Sequence, residues 1–353
     1  MHPTIRHTLD QISPVSGDAL LRAQSHLDSL TKPPGSLGRL EEMAARYVAL
    51  RGNLAELPKK KAIVVFAADH GVTQEGVSAY PQEVTCQMVK NFLSGGAAVN
   101  VLARHAGAEV LVVDMGVNGD FSPHPNLLAR KIAPGTQNLA RTPAMTRDQA
   151  ETAIRIGIEI ATEWAENQGD LLGTGDMGIG NTTPATAILS VLGNSPSRQL
   201  TGRGTGIDNP TLEKKIRLIE NAIATHKPNP EDPIDILAKL GGFEIGGIAG
   251  LVLGAAARRI PILIDGLISG AGAALALGLS PTVKDYLFPS HRSCEPGHEI
   301  FFKLLGRPPI LDLDMRLGEG TGAALAIPIL EGAIRIYNEM ATFKSAGVST
   351  RAV

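Results

Sequence analysis

Cysteine is nearly absent: Cys86 and Cys294 are the two in 353 residues. Neither belongs to a CxxC pair or a Cys/His cluster, which argues against a disulfide framework and a structural zinc site. Aromatic residues make up 4% of the chain, with one tryptophan, too few for stacking platforms that hold single-stranded nucleic acid. No charge of one sign dominates: 33 Lys+Arg against 35 Asp+Glu leave a formal −2. A protein that coats nucleic acid carries a strong basic excess, so no nucleic-acid partner is expected. Long apolar runs are missing too. The most apolar window, 262–279, is broken by Asp265 and several glycines, so no membrane span is expected. The opening MHPTIRHTLDQ lacks the apolar stretch of a secretory signal. A cytoplasmic protein with ordinary thiols is expected.

What is present describes a folded chain, with 43% hydrophobic and 19% charged residues. Its length has room for two domains at roughly 150 residues each. The 39 glycines and 23 prolines are dispersed, which points to many tight turns. Short apolar runs recur and end in an acid. AIVVFAA (62–68) meets Asp69, EVLVV (109–113) meets Asp114, and 170–174 leads to Asp176. PILI (261–264) meets Asp265, and 310–313 meets Asp314. Such runs suit strands buried on both faces of a parallel sheet. Helical patterns lie between them at 96–106, 147–167, 183–192, 212–224, 246–257 and 266–277. Alternating strand and helix predicts an α/β fold. Ligands of such sheets sit beyond the carboxyl ends of the strands, so Asp69, Asp114, Asp176 and Asp265 should share one rim. Each acid could equally cap the helix that follows.

Both ends read as helical, at 18–30, 40–50 and 321–343, with Pro328 near the start of the last. The expected division is a large α/β domain over 60–290 and a small helical domain from 1–59 and 291–353. Residues 229–233 (NPEDP) read as a loop between helices.

Several segments carry chemistry. In Arg316-Leu317-Gly318-Glu319-Gly320-Thr321-Gly322 a carboxylate stands between glycines, after a strand and before a helix. This suits a general base beside an anion site, or a tight turn with a helix-starting acid. The stretch 173–184 alternates glycines with Asp176, Met177, Asn181, Thr182 and Thr183, a cradle for ribose or phosphate or a structural turn. It fits neither the P-loop nor the dinucleotide fingerprint. Gly202 to Gly206 with Lys214 and Lys215 downstream is a phosphate site or a solvated helix face. Asp69 and His70 are adjacent on a strand end and point to opposite faces, which disfavours joint metal ligation. The stretch 290–298 holds Ser, His and Cys without a nucleophile elbow.

Seven motifs in order resemble one family: LTKPPGSLGRLE (30–41), AADHGV (67–72), EGVSAYPQEVT (75–85), GDMGIGNTTPA (175–185), GGFEIGGIAG (241–250), PILIDG (261–266) and RLGEGTGAALA (316–326). They are similar to the nicotinate-nucleotide:dimethylbenzimidazole phosphoribosyltransferases, from about residue 20 to 343. The resemblance implies a Rossmann-like parallel sheet, a small helical domain built from both chain ends, and a homodimer. It implies transfer of the 5-phosphoribosyl group of nicotinate mononucleotide to 5,6-dimethylbenzimidazole, giving α-ribazole 5'-phosphate and nicotinate. No metal or organic cofactor is implied. Glu319 falls at the family's general base, and Lys215 at its phosphate-associated lysine, with Gly202 and Gly204. The resemblance places the acceptor at Tyr80, Gln87, Met88 and Met177. It adds Asp176, Gly178, Asn181, Asp265, Ser290, Gly318 and Gly320 to the substrate site. Asp176 stands where the family usually has Glu, one methylene shorter. The apolar acceptor pocket also suits phenol or p-cresol, which a branch of the family uses. A silent binding subunit of a heteromer and a nucleotide hydrolase are the competing readings.

Overall fold

The computed structural model describes residues 1–52 and 56–349. Six strands form one parallel sheet: β1 (Lys61–Ala68), β2 (Glu109–Gly116), β3 (Leu127–Ala129), β4 (Leu171–Met177), β5 (Ile262–Ile264) and β6 (Leu287–Pro289). Their order is β3-β2-β1-β4-β5-β6, the doubly wound Rossmann order. The apolar runs form these strands because both faces are covered; Ala62 to Ala68 in β1 are all buried. The order reverses between β1 and β4, and the two sets of connections diverge there. This opens a crevice at the carboxyl ends of those two strands.

Helices Arg147–Glu166 and Phe243–Ala257 pack tightly against each other. The first opens with a capping box, in which Thr146 and Gln149 exchange side-chain and backbone hydrogen bonds. Their crossing depends on glycine: a Cβ at Gly250 would stand 3.0 Å from the Gly157 Cα. One hydrophobic core extends from Ile5 to Ile334 and ties the terminal helices to the sheet. Gly17–Ser29 packs on Arg39–Arg51, which packs on Thr321–Glu339. Between the first two, the Lys32 ammonium lies 2.7 Å from Glu41, which also accepts the Leu37 N–H at 2.9 Å. Burial pushes the Glu41 carboxyl up, but Lys32 and the Leu37 and Gly35 N–H groups outweigh it and hold it below its ordinary value.

The run at 310–313 is a strand, but not of the main sheet. β8 (Leu311–Met315) pairs in parallel with β7 (His291–Ser293) in a separate two-stranded ladder. Asp312 and Asp314 are exposed there, and a strand buried on both faces could not hold them. The last long helix stops at Glu339 rather than 343, and Pro328 lies inside it. Helices Pro3–Gln11, Glu83–Leu93, Pro233–Leu240 and His298–Leu305, and the three-residue strands β3, β6 and β7, were not anticipated. These strands are too short to show a period. No helix among the described residues is long and apolar enough to cross a membrane.

Candidate active site

A cavity of about 520 Å³ lies over the carboxyl end of β4. Its floor comes from Asp176, Met177 and Gly178, its sides from Tyr80, Met88, Asn181 and Gly204, and its far wall from Arg316, Gly318 and Glu319. A larger, mostly apolar groove of about 940 Å³ runs between residues 28–34 and 342–344. It stands apart from the strand-end acids that can do chemistry.

Glu319 is the most constrained carboxylate of the site. Gly318, Glu319 and Gly320 have φ of 80, 65 and 96°, three left-handed residues in succession. Glycine accepts this freely, whereas a left-handed glutamate costs about 1–2 kcal/mol. Backbone strain of this kind collects at functional sites. The Glu319 side chain is 6% exposed, and its Oε2 accepts the Val99 N–H at 3.4 Å. Val99 belongs to the first turn of the helix Ala98–His105, where the helix dipole favours an anion. Burial pushes the Glu319 carboxyl above its ordinary value. The Val99 N–H opposes that shift, and the Asp265 charge adds to it. A carboxylate with a raised pKa is a better base near neutral pH.

Asp176 faces the same cavity. Its Oδ2 accepts the Asn181 amide at 2.9 Å, and its Oδ1 has no protein partner. Burial, then the Asp265 charge, pushes its carboxyl well above the ordinary range, against the Asn181 hydrogen bond. Two carboxyls raised above their ordinary values therefore face one cavity.

Lys215 lies behind the wall rather than on it. It is fully buried, and its Nζ donates to Thr182 Oγ1 at 2.7 Å and to the Gly202 carbonyl at 3.4 Å. Burial pushes its ammonium down to about 8, with Glu295 pulling the other way. Glu295 lines the cavity, and its Oε1 accepts the Gly204 N–H at 2.8 Å. Arg316 donates to the Gly204 carbonyl at 3.3 Å and so ties this loop to the turn that carries Glu319. Sequence reasoning passed over Glu295 and Arg316 although both stood in segments it had singled out. Glu295 is near Ser290, His291 and Cys294, residues whose types point to a nucleophile rather than to a loop-holding acid.

Several expected site residues lie elsewhere. Gln87 is exposed and off the cavity wall; in the helix Glu83–Leu93 it sits about 100° around from Met88, which lines it. Gly202 and Gly320 are also off the wall, the first beneath Glu295 and the second over β4. Ser290 is buried, and its Oγ donates to the Ile264 carbonyl at 2.7 Å. Asp265 is fully buried and caps backbone rather than facing the cavity. Tyr80 is on the rim, 56% exposed.

The strand-end acids share the rim but not one role. Asp69 Oδ2 accepts the Asn118 N–H at 2.7 Å. Asp114 Oδ1 accepts the Gly116 and Val117 N–H groups at 3.1 and 2.9 Å. Both hold loops. His70 turns away from Asp69 to meet Glu244 at 2.7 Å, both fully buried. Ser290 Oγ and Asp265 Oδ1 approach the same nitrogen of His291, at 3.2 and 3.6 Å. A catalytic triad needs the two ring nitrogens divided between nucleophile and acid, so this is not one. Among the described residues no group of three or more His, Cys, Asp or Glu side chains is arranged to hold a metal ion.

Comparison with known proteins adds independent findings. A model of the family described as Phosphoribosyltransferase matches residues 12–348. A Geobacter sulfurreducens protein named nicotinate-nucleotide–dimethylbenzimidazole phosphoribosyltransferase is 54% identical over 345 residues, 98% of each chain. A Pelodictyon phaeoclathratiforme protein of the same name is 56% identical over 343 residues, 97% of each chain. The crystal structure bearing that enzyme's name from Thermus thermophilus is similar with a TM-score of 0.90 and 46% identity, covering 95% of this chain and all of that one.

Proposed function

The chain belongs to the nicotinate-nucleotide–dimethylbenzimidazole phosphoribosyltransferase family, and from that premise we infer that it moves the 5-phosphoribosyl group of nicotinate mononucleotide onto 5,6-dimethylbenzimidazole. The products are α-ribazole 5'-phosphate and nicotinate, a step of cobalamin nucleotide-loop assembly. The observation that carries the mechanism is Glu319: a buried carboxylate with a raised pKa, held on a left-handed turn at the cavity wall.

The chemistry asks little else of the protein. A benzimidazole ring nitrogen attacks C1' of the ribose from the face opposite nicotinate, which inverts β to α. The C1'–N bond breaks, and its electron pair neutralises the pyridinium, so the leaving group needs no proton. The attacking ring becomes cationic and its N–H becomes acidic. Glu319 takes that proton, help worth about 10²–10⁴-fold. Met88 and Met177 provide an adaptable apolar wall for the flat acceptor. Asp176, with its free Oδ1, presents a hydrogen-bonding group to the sugar or the acceptor. The Lys215 charge, behind Gly202 and Thr182, draws the 5'-phosphate to the Gly204 loop. Holding both substrates in line supplies roughly another 7–11 kcal/mol in favourable cases.

The working assembly we propose is a homodimer in the cytoplasm, on the family's pattern; light scattering should return the mass of two chains. The proposed division into an α/β unit and a terminal helical unit is supported by the packing of the end helices on one another. The test of function is incubation with nicotinate mononucleotide and equimolar dimethylbenzimidazole, phenol, p-cresol and adenine, with products identified by mass spectrometry. Dimethylbenzimidazole ribotide should dominate. Mainly phenyl ribotides would make phenols the acceptors, and nicotinate release without any acceptor would mean a hydrolase.

A further inference from the structure

The turn that carries Glu319 is held from outside its own segment. Asp265 stands directly after β5 and is fully buried. Its Oδ2 accepts the Gly320 N–H at 3.0 Å, and its Oδ1 accepts the Gly322 N–H at 2.8 Å and the Ala323 N–H at 3.2 Å. These donors are the open N-terminal groups of the helix Thr321–Glu339, which has no side-chain cap of its own. An acid from a different strand therefore supplies the cap and meets the left-handed turn at Gly320.

We propose that Asp265 is a positioning residue for the phosphoribosyl transfer: its carboxylate holds the 318–320 turn in the left-handed conformation that presents Glu319 to the cavity. This rests on Glu319 as the proton acceptor. Asp265 does not line the cavity, so it acts on substrate through other groups: through the turn that carries Glu319, and through its charge on Glu319 and Asp176. Its surroundings suit a fixed anion. Burial pushes its carboxyl above the ordinary value, and His291, 3.6 Å away on β7, with the three backbone N–H groups acts against that shift. Both oxygens act only as acceptors here. An asparagine in its place must turn its NH₂ toward one of these N–H groups and lose that bond.

The charge has a second consequence. The groups facing Glu319 are the Val99 N–H from the helix Ala98–His105, Asp176 from β4 and Asp265 from the end of β5. Of these the Asp265 charge repels the ionised base, and Asp265, Glu244 and Glu319 together favour the protonated form of Asp176. Removing the Asp265 charge therefore lets Glu319 stay ionised to lower pH.

The experiment compares D265N, E319Q and the double variant in steady-state kinetics with both substrates across pH, with folding followed by circular dichroism. D265N should lower kcat about 10–100-fold, leave both KM values within about threefold, and move the acid limb of kcat to lower pH, a shift that lost stability alone would not produce. Added to E319Q, it should change little, because the two act as one unit. An unchanged kcat, a raised KM as the main effect, or full additivity in the double variant would overturn the positioning role. A wild-type rate for E319Q would instead remove Glu319 as base and leave Asp265 to be judged as a fold element. If D265N does not fold, D265S keeps one acceptor for the helix N-terminus and is read by the same criteria.

Discussion

Glu319 and Val99 are 220 positions apart, yet the Glu319 Oε2 accepts the Val99 backbone N–H at 3.4 Å. Glu319 is thereby pinned at two points: its backbone by the left-handed turn and its carboxylate by the start of the helix Ala98–His105. E319Q should fold normally, because a glutamine oxygen can still accept that N–H. It should lower kcat by about 10²–10⁴-fold with little change in KM. Stopped assays that follow nicotinate release would show this, and a kcat within threefold of wild type would exclude Glu319 as the base.

Asp176 should work in its neutral form. Burial and the Asp265 charge drive its carboxyl up, so it holds its proton more tightly than an ordinary aspartate. A neutral acid has a close isostere in asparagine, which can still accept from Asn181 and donate into the cavity. D176N should therefore keep kcat/KM within about tenfold, and D176A should lose more. If D176N were as inactive as E319Q, Asp176 would have to work ionised.

Lys215 should give the pH profile its upper edge. A lysine is cationic below its pKa, and burial has pushed this one down to about 8. If Lys215 attracts the phosphate as proposed, the kcat/KM for the nucleotide should fall as pH rises through about 8, where the free enzyme loses that charge. It should also fall on the acid side, as Glu319 protonates above its ordinary carboxylate value. K215M should raise the nucleotide KM about 30-fold or more and abolish the alkaline edge. E295Q keeps an acceptor for the Gly204 N–H but removes the charge that supports the lysine, so the edge should move to lower pH.

The crossing of Arg147–Glu166 with Phe243–Ala257 sets a different test. At Gly250 a methyl group would press on the Ile154 and Gly157 backbones, which cannot turn away as side chains can. G250A should destabilise the fold by about 1–3 kcal/mol, read as a lower urea midpoint with an unchanged slope. Neither helix lines the cavity, so kcat of the folded fraction should stay near wild type.

The chain's local pattern determined a great deal by itself. The apolar runs of β1, β2, β4 and β5 declared a parallel sheet, because burial on both faces leaves no polar alternation. The glycines around Glu319 marked a turn only they could flank, and seven ordered motifs pointed to the family. Local pattern could not say what meets across distance. Glu319 with Val99, Glu295 with Gly204 and Asp265 with Gly320 are pairs whose members belong to different segments. Each segment carries its own period and turn chemistry but no record of its partner. The same gap explains the misplaced residues. Asp265 reads from sequence as one more strand-end acid, and only the arrival of the helix Thr321–Glu339 above β5 turns it into a cap. Gln87 and Met88 are neighbours in sequence, and only the packing of their helix decides which one faces the cavity. β8 has a strand's apolar residues, but whether a strand joins a sheet depends on a partner edge, and the tertiary structure offered it β7.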